Sequence, residues 1–133
     1  MTSDTRPIIM AIDDDPVILN LTVGILRKAY RLRPFTSGKT AFEYLALPGS
    51  GVDLILLDHQ MPEMDGPAIL EKLRSDEATR DIPVIFMTGL DQASDEDRLR
   101  GGGAADYVRK PPVAADLLAK VKHHLGPRPS RAA

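Results

Sequence analysis

The chain has no cysteine, few aromatic residues (5%), and no excess of charge of one sign. Without thiols it can form neither disulfides nor thiolate metal sites, and a reducing compartment is permitted. The 17 Lys and Arg residues against 19 Asp and Glu give a formal net charge of −2. Such a balance offers no clustered cationic surface for nucleic acid or an anionic membrane, so neither is expected as a direct partner. Long apolar runs are also missing, and the polar stretch 1–7 lacks the apolar core of a secretory signal, which makes a cytoplasmic location the expectation.

What is present is the composition of a globular chain: 133 residues, 43% hydrophobic and 27% charged, with no low-complexity tract. That length suits one domain with one core. Residues 1–7 read as a disordered amino terminus, 8–125 as the domain, and 126–133, with Pro127 and Pro129, as a flexible tail or linker stub.

Short continuous apolar runs at 8–12, 54–57 and 84–87, with a weaker one at 107–108, alternate with helical patterns. Continuous rather than alternating apolar strands are those buried on both faces, as in a parallel sheet. A further strand is predicted at 32–35, where Pro34 restricts it to a sheet edge. In the first helix Ile18, Leu21, Ile25, Leu26 and Ala29 recur at three- and four-residue spacing, with Asp15 as N-cap and Pro16 at the first helical position. Other helices are predicted at 40–47, 67–74, 94–100 and 113–125, the last with Leu118, Val121 and Leu125 in register. The fold class is α/β: a (βα)5 doubly wound parallel five-stranded sheet of flavodoxin-like order 2-1-3-4-5, with its ligand site outside the carboxyl ends of the strands.

Those ends are acidic. Strand one runs into Asp13, Asp14 and Asp15, strand three into Asp58, strand four into Thr88 and Gly89, and strand five into Lys110 and Pro111. Three carboxylates converging on one lysine raise one another's pKa and call for a cation. Oxygen ligands without cysteine favour a hard ion, Mg²⁺ before others.

The segment from Asp58 through Met61, Pro62 and Asp65 to Gly66 resembles the phosphoacceptor segment of response-regulator receiver domains. Asp13 and Asp14 resemble that family's acidic pair, Thr88 its hydroxyl residue, Tyr107 its aromatic switch, and Lys110-Pro111 its lysine-proline pair. The resemblance implies a chemotaxis-regulator-like domain in which Asp58 accepts a phosphoryl group from a sensor histidine kinase or a histidine phosphotransfer protein. It also implies Mg²⁺ or Mn²⁺ held by Asp13, Asp14, Asp58 and the backbone carbonyl of Gln60, and phosphoryl stabilisation by Lys110 and Thr88. Thr88 and Tyr107 would then switch a protein-binding surface. On this reading the chain is no enzyme beyond its own phosphorylation and dephosphorylation, and is a monomer or a phosphorylation-dependent homodimer with an unknown downstream protein target. A cis Lys110–Pro111 bond is implied as well.

Other roles compete at several positions. Asp15 reads as a helix cap rather than a ligand, while Asp65, Gly66 and Pro67 read as turn and helix-start chemistry. His123 and His124, about 100° apart on a helix, make a poor chelate and are expected on its outer side, and His59 is expected to rim the site. A phosphatase of the haloacid-dehalogenase type shares the nucleophile and lysine, but needs an aspartate where Gln60 stands. A nucleotide-binding reading finds no phosphate loop, and a pseudo-receiver would lack the acidic pair or the lysine. Pro112 and the run Gly101, Gly102, Gly103 depart from the common family pattern and predict a loose region after the fourth helix.

Overall fold

A computed structural model describes residues 4–59, 61, 66–89 and 103–125. Five strands, β1 (Ile8–Ile12), β2 (Arg31–Phe35), β3 (Val52–Asp58), β4 (Val84–Thr88) and β5 (Asp106–Arg109), form one parallel sheet in the order β2-β1-β3-β4-β5. Four helices are described: α1 (Pro16–Leu26), α2 (Gly38–Leu45), α3 (Gly66–Arg74) and α4 (Ala114–Leu125). The helix predicted at 94–100, the tail 126–133, and Gly101 and Gly102 lie outside the described residues.

The sheet is apolar on both faces because its pleat divides each strand between two cores. Met10, Ile12, Ile55, Leu57, Val84 and Phe86 face Ala41 of α2 and Ile69, Leu70 and Leu73 of α3. The intervening Ile9, Ala11, Leu54, Leu56, Ile85 and Met87 face Leu19 and Leu26 of α1 and Leu117, Val121 and Leu125 of α4. Each fully buried Leu, Ile or Val contributes about 1.5–3 kcal/mol, so the two layers together hold every strand end in register.

Strand β2 lies at the edge, as Pro34 requires, paired only with β1. The caps also match expectation: Asp15 accepts a hydrogen bond from Val17 N at 2.9 Å, and Pro16 opens α1. α2 starts two residues earlier than predicted because Ser37 Oγ caps it, accepting from Thr40 N at 3.3 Å. The apolar stripe of α1 is corrected. Its buried face is Leu19, Thr22 and Leu26, flanked by Ile18 and Ile25, whereas Leu21 is 42% exposed and Ala29 lies beyond the helix. Thr22 enters that face because its Oγ1 donates to Ile18 O at 2.9 Å, which satisfies the hydroxyl locally.

Asp53 is a buried residue that apolar patterning did not single out. Its carboxylate accepts from Ile8 N at 2.9 Å, where the register of β1 on β3 shifts between Ile8 and Ile9. Within the stretch read as a disordered amino terminus, Arg6 pairs with Asp4 at 2.7 Å and donates to the carbonyls of Arg27 and Lys28 just beyond α1. In the glycine run, Gly103 has φ +102, and its carbonyl accepts from Arg74 Nη2 at 3.1 Å.

Gly66 opens α3 against β3 and β4. Its N–H donates to His59 O at 2.9 Å. A β-carbon there would overlap the Phe86 ring and stand 3.0 Å from both Asp58 O and His59 Cα. Gly66→Ala is therefore expected to lower stability by about 1–3 kcal/mol, as an overpacked core position does. Urea denaturation with an unchanged slope and a lower midpoint would show it; an unchanged midpoint would mean that α3 can move aside.

Candidate functional site

Parallel strands all present their carboxyl ends on one side, and that side gathers the residues singled out by sequence. Asp13 and Asp14 follow β1, Asp58 ends β3, Thr88 ends β4 and Lys110 follows β5. The Asp13 backbone is fixed by its N–H donating to Phe35 O at 3.0 Å. One carboxylate oxygen from each of Asp13, Asp14 and Asp58 lies within 4.8 Å of the others. Asp13 and Asp58 are buried, at 3% and 4% exposure, while Asp14 opens to solvent.

Lys110 Nζ reaches into this cluster, 2.7 Å from Asp58 Oδ1 and 3.0 Å from Asp13 Oδ2. Its backbone N–H donates to Thr88 O at 2.7 Å, and the Lys110–Pro111 bond is cis. Three carboxylates against one ammonium leave two surplus negative charges when all are ionised. Asp58 has its pKa pushed up from 3.8 to about 6. Burial is the main cause, and the Asp13 charge and Asp14 side chain add to it against the opposing pull of Lys110. Lys110 moves upward despite its own burial, because the carboxylates of Asp58 and Asp13 favour its charged form.

The cluster suits a hard cation on its own chemistry. Asp13 Oδ1 is committed to Asp15 N at 2.9 Å. Asp13 Oδ2 is buried, and among the described residues its contact is the ion pair with Lys110 at 3.0 Å, with no further hydrogen-bond partner. A buried carboxylate oxygen with one shared cation beside it is incompletely compensated, and a divalent ion between Asp13, Asp14 and Asp58 would complete that compensation. Gln60, whose carbonyl the resemblance adds to this set, lies outside the described residues.

Thr88 is buried at the end of β4, on the same side of the pleat as Phe86, two residues before it. Phe86 is the β4 partner of Tyr107, which is half-buried against the α2–α3 core. Thr88 and Tyr107 therefore stand on neighbouring strands, Thr88 at the end that bears the acidic cluster and Tyr107 two residues back from the β5 partner of Thr88.

The histidines are placed differently from expectation. His59 does not rim the site: it is 8% exposed, and its ring meets the Phe86 ring edge-on at 5.9 Å. His123 is exposed, but His124 turns inward, its Nε2 2.9 Å from Asp106 Oδ2. Burial would raise the Asp106 pKa, yet His124, the Tyr107 N–H and Lys120 together hold it below the usual carboxylate range. Neither Asp106 nor Lys120 carries a sequence signal, because strand β5 and helix α4 meet only in the folded chain.

The sequence profile described as the response regulator receiver domain matches residues 9–122. The chain is 38% identical over 117 residues to a probable cyclic di-GMP phosphodiesterase of Vibrio cholerae, covering 88% of this chain and 26% of that protein. It is 37% identical over 117 residues to the DNA-binding dual master transcriptional regulator RpaA of Synechocystis, covering 87% of this chain and 48% of that protein. The chain thus spans about a quarter to a half of the length of these curated relatives. A solved structure of the receiver domain of the Pseudomonas aeruginosa sensor histidine kinase PA1611, with a magnesium ion coordinated in its active site cleft, superposes with a TM-score of 0.79. It is 26% identical, and the match covers 91% of this chain and 98% of that one. With this fold, this acidic cluster and a profile match over most of its length, the chain belongs to the response regulator receiver domain family, the phosphoacceptor modules of two-component signalling.

Proposed function

We propose that Asp58 is the phosphoacceptor, with a phosphohistidine of a sensor kinase or phosphotransfer protein as donor. The observation that carries this reading is Asp58 at the end of β3, flanked by Asp13 and Asp14 and hydrogen-bonded to Lys110 at 2.7 Å. An oxygen of the Asp58 carboxylate forms the new O–P bond as the donor's P–N bond breaks, and the electron pair leaves on the imidazole nitrogen. Asp13, Asp14 and Asp58 would hold Mg²⁺ or Mn²⁺, which when bound supplies positive charge to the phosphoryl oxygens. Lys110, paired with Asp58 and Asp13, balances part of the negative charge. The Thr88 hydroxyl donates to a phosphoryl oxygen, which draws the end of β4 inward and makes room for Tyr107.

The output is a changed protein-binding surface beside β5, in a chain that catalyses no reaction beyond its own phosphorylation and dephosphorylation. The activities named for its curated relatives belong to proteins of which it matches a quarter to a half. A cytoplasmic setting is consistent with the described helices, none of which is long and apolar enough to cross a membrane.

Incubation with acetyl phosphate is expected to add a single phosphoryl group in the presence of Mg²⁺ and none in EDTA. Intact-protein mass reads the adduct, and Asp58→Asn should abolish it; an adduct that persists in the variant would place the acceptor elsewhere.

The raised pKa of Asp58 yields a second expectation. A carboxyl group that binds its proton more tightly when folded stabilises the fold at low pH and loses that contribution as pH rises from about 4 to about 6. Metal-free Asp58→Asn should therefore melt higher than the parent at pH 7, by about 3–6 °C or roughly 1 kcal/mol. The gap should close below pH 4, and Mg²⁺ should stabilise the parent more than the variant. Calorimetry at several pH values checks this; a variant that melts lower at pH 7 would contradict it.

A further inference from the structure

Asp13 uses its two carboxylate oxygens differently. Oδ1 accepts from the backbone N–H of Asp15 at 2.9 Å, and Oδ2 lies 3.0 Å from Lys110 Nζ. The terminal torsion of an aspartate is broad rather than sharply staggered, so partners, not rotamer wells, fix where its oxygens point. Among the described residues, Lys110 and the Asp15 N–H are those partners. The Asp13 backbone is held separately, by its N–H donating to Phe35 O at 3.0 Å.

Asp15 is in turn fastened to α1 at two further points. Its Oδ1 accepts from Val17 N at 2.9 Å, and its carbonyl accepts from Leu19 N at 3.0 Å. Pro16, at the first helical position, has no N–H to give, so the bond to Val17 is the side-chain contact that closes the first turn. One exposed residue thus connects the start of a helix to a buried carboxylate. A helix without its cap frays at the first turn, because its leading N–H groups lack partners. Fraying carries the Asp15 peptide with it, and the N–H that steadies Asp13 Oδ1 is then in place for a smaller share of the time.

We propose that Asp15 is a positioning residue for the cation site: by capping α1 it keeps its own N–H on Asp13 Oδ1, and so holds the Asp13 carboxylate in the orientation that brings it within 4.8 Å of Asp14 and Asp58. This rests on the reading of those three carboxylates as the place of a divalent ion. The Asp15 carboxylate is not one of the three, and its role is carried by hydrogen bonding rather than by charge. Asn and Ser cap a helix about as well as Asp does, whereas Ala does not cap at all. Attraction between an ion and a nearby carboxylate shows the other pattern, since it is lost in Asn, Ser and Ala alike.

The test is metal affinity, without any phosphodonor. Mn²⁺ is titrated into the parent, Asp15→Ala, Asp15→Asn and Asp15→Ser while the electron paramagnetic resonance signal of the free ion is followed, and Mg²⁺ is measured by competition. Thermal melts in EDTA establish that each variant is folded at the assay temperature. Lower global stability alone leaves the Kd unmoved, because a folded chain presents the same site whatever its melting point. The expected result is a Kd raised about three- to five-fold in Asp15→Ala, the weight of one helix cap, with Asp15→Asn and Asp15→Ser within about two-fold of the parent. If Asp15→Ala binds both ions as tightly as the parent, or if Asp15→Asn loses as much affinity as Asp15→Ala, the role given to Asp15 is overturned. If the parent itself binds neither ion, the reading of the cluster as a cation site falls, and this inference with it.

Discussion

The molecule is organised around a surplus of negative charge that it holds at one end of a sheet. Asp13 and Asp58 are buried there and Asp14 stands beside them, with Lys110 as the compensating cation 2.7 and 3.0 Å away. Two carboxylates out of water beside one another cost free energy, and the raised pKa of Asp58 is the direct expression of that cost. The same arrangement is what makes the site useful. On the proposed reading, a hard cation held there would make the approach of a dianionic phosphoryl group to a carboxylate favourable.

Such a cluster persists only on a rigid support, and the parallel sheet supplies one. Each of β1, β3 and β4 is apolar on both faces, so each is pinned by helices from two sides. Their carboxyl ends cannot drift apart without exposing a core layer. Gly66 has a related role at close range, since α3 comes so near to the backbone of Asp58 and His59 that no side chain fits. Edge strand β5 buries Val108 in the α1–α4 core and is tied to α4 as well by polar contacts, from Asp106 to His124 and from the Tyr107 carbonyl to Lys120.

Much of this was legible along the chain. Continuous apolar runs identified the strands, Pro34 placed β2 at the edge, and Asp15-Pro16 marked the start of α1, because each of these signals is a local steric or solvation rule. The acidic residues were legible as a set because a parallel sheet brings all strand ends to one side. Legibility stopped where a residue's role depends on a neighbour distant in sequence. Leu21 and Thr22 exchanged places on α1, since helical spacing alone cannot tell which of two adjacent stripes meets the sheet. His59 looked like a rim residue and is packed on Phe86, because the strand's pleat turns it inward beside Asp58. His124 looked like a surface residue, and Asp106 draws it in.

By itself, then, the sequence determined the order of elements, the sheet's topology and which residues would gather at its carboxyl end, because those follow from hydrophobic period, turn chemistry and the handedness of βαβ crossovers. Tertiary structure alone decided the electrostatic balance inside that cluster: which carboxylates are buried, which oxygens Lys110 pairs with, and how far Asp58 is pushed up. It likewise decided that α4 reaches Tyr107 through Lys120 and Asp106 through His124. The reason is that burial and charge interactions depend on distance in space, and residues 58 and 110, or 107 and 120, acquire their separation only when the sheet and its helices close upon one another.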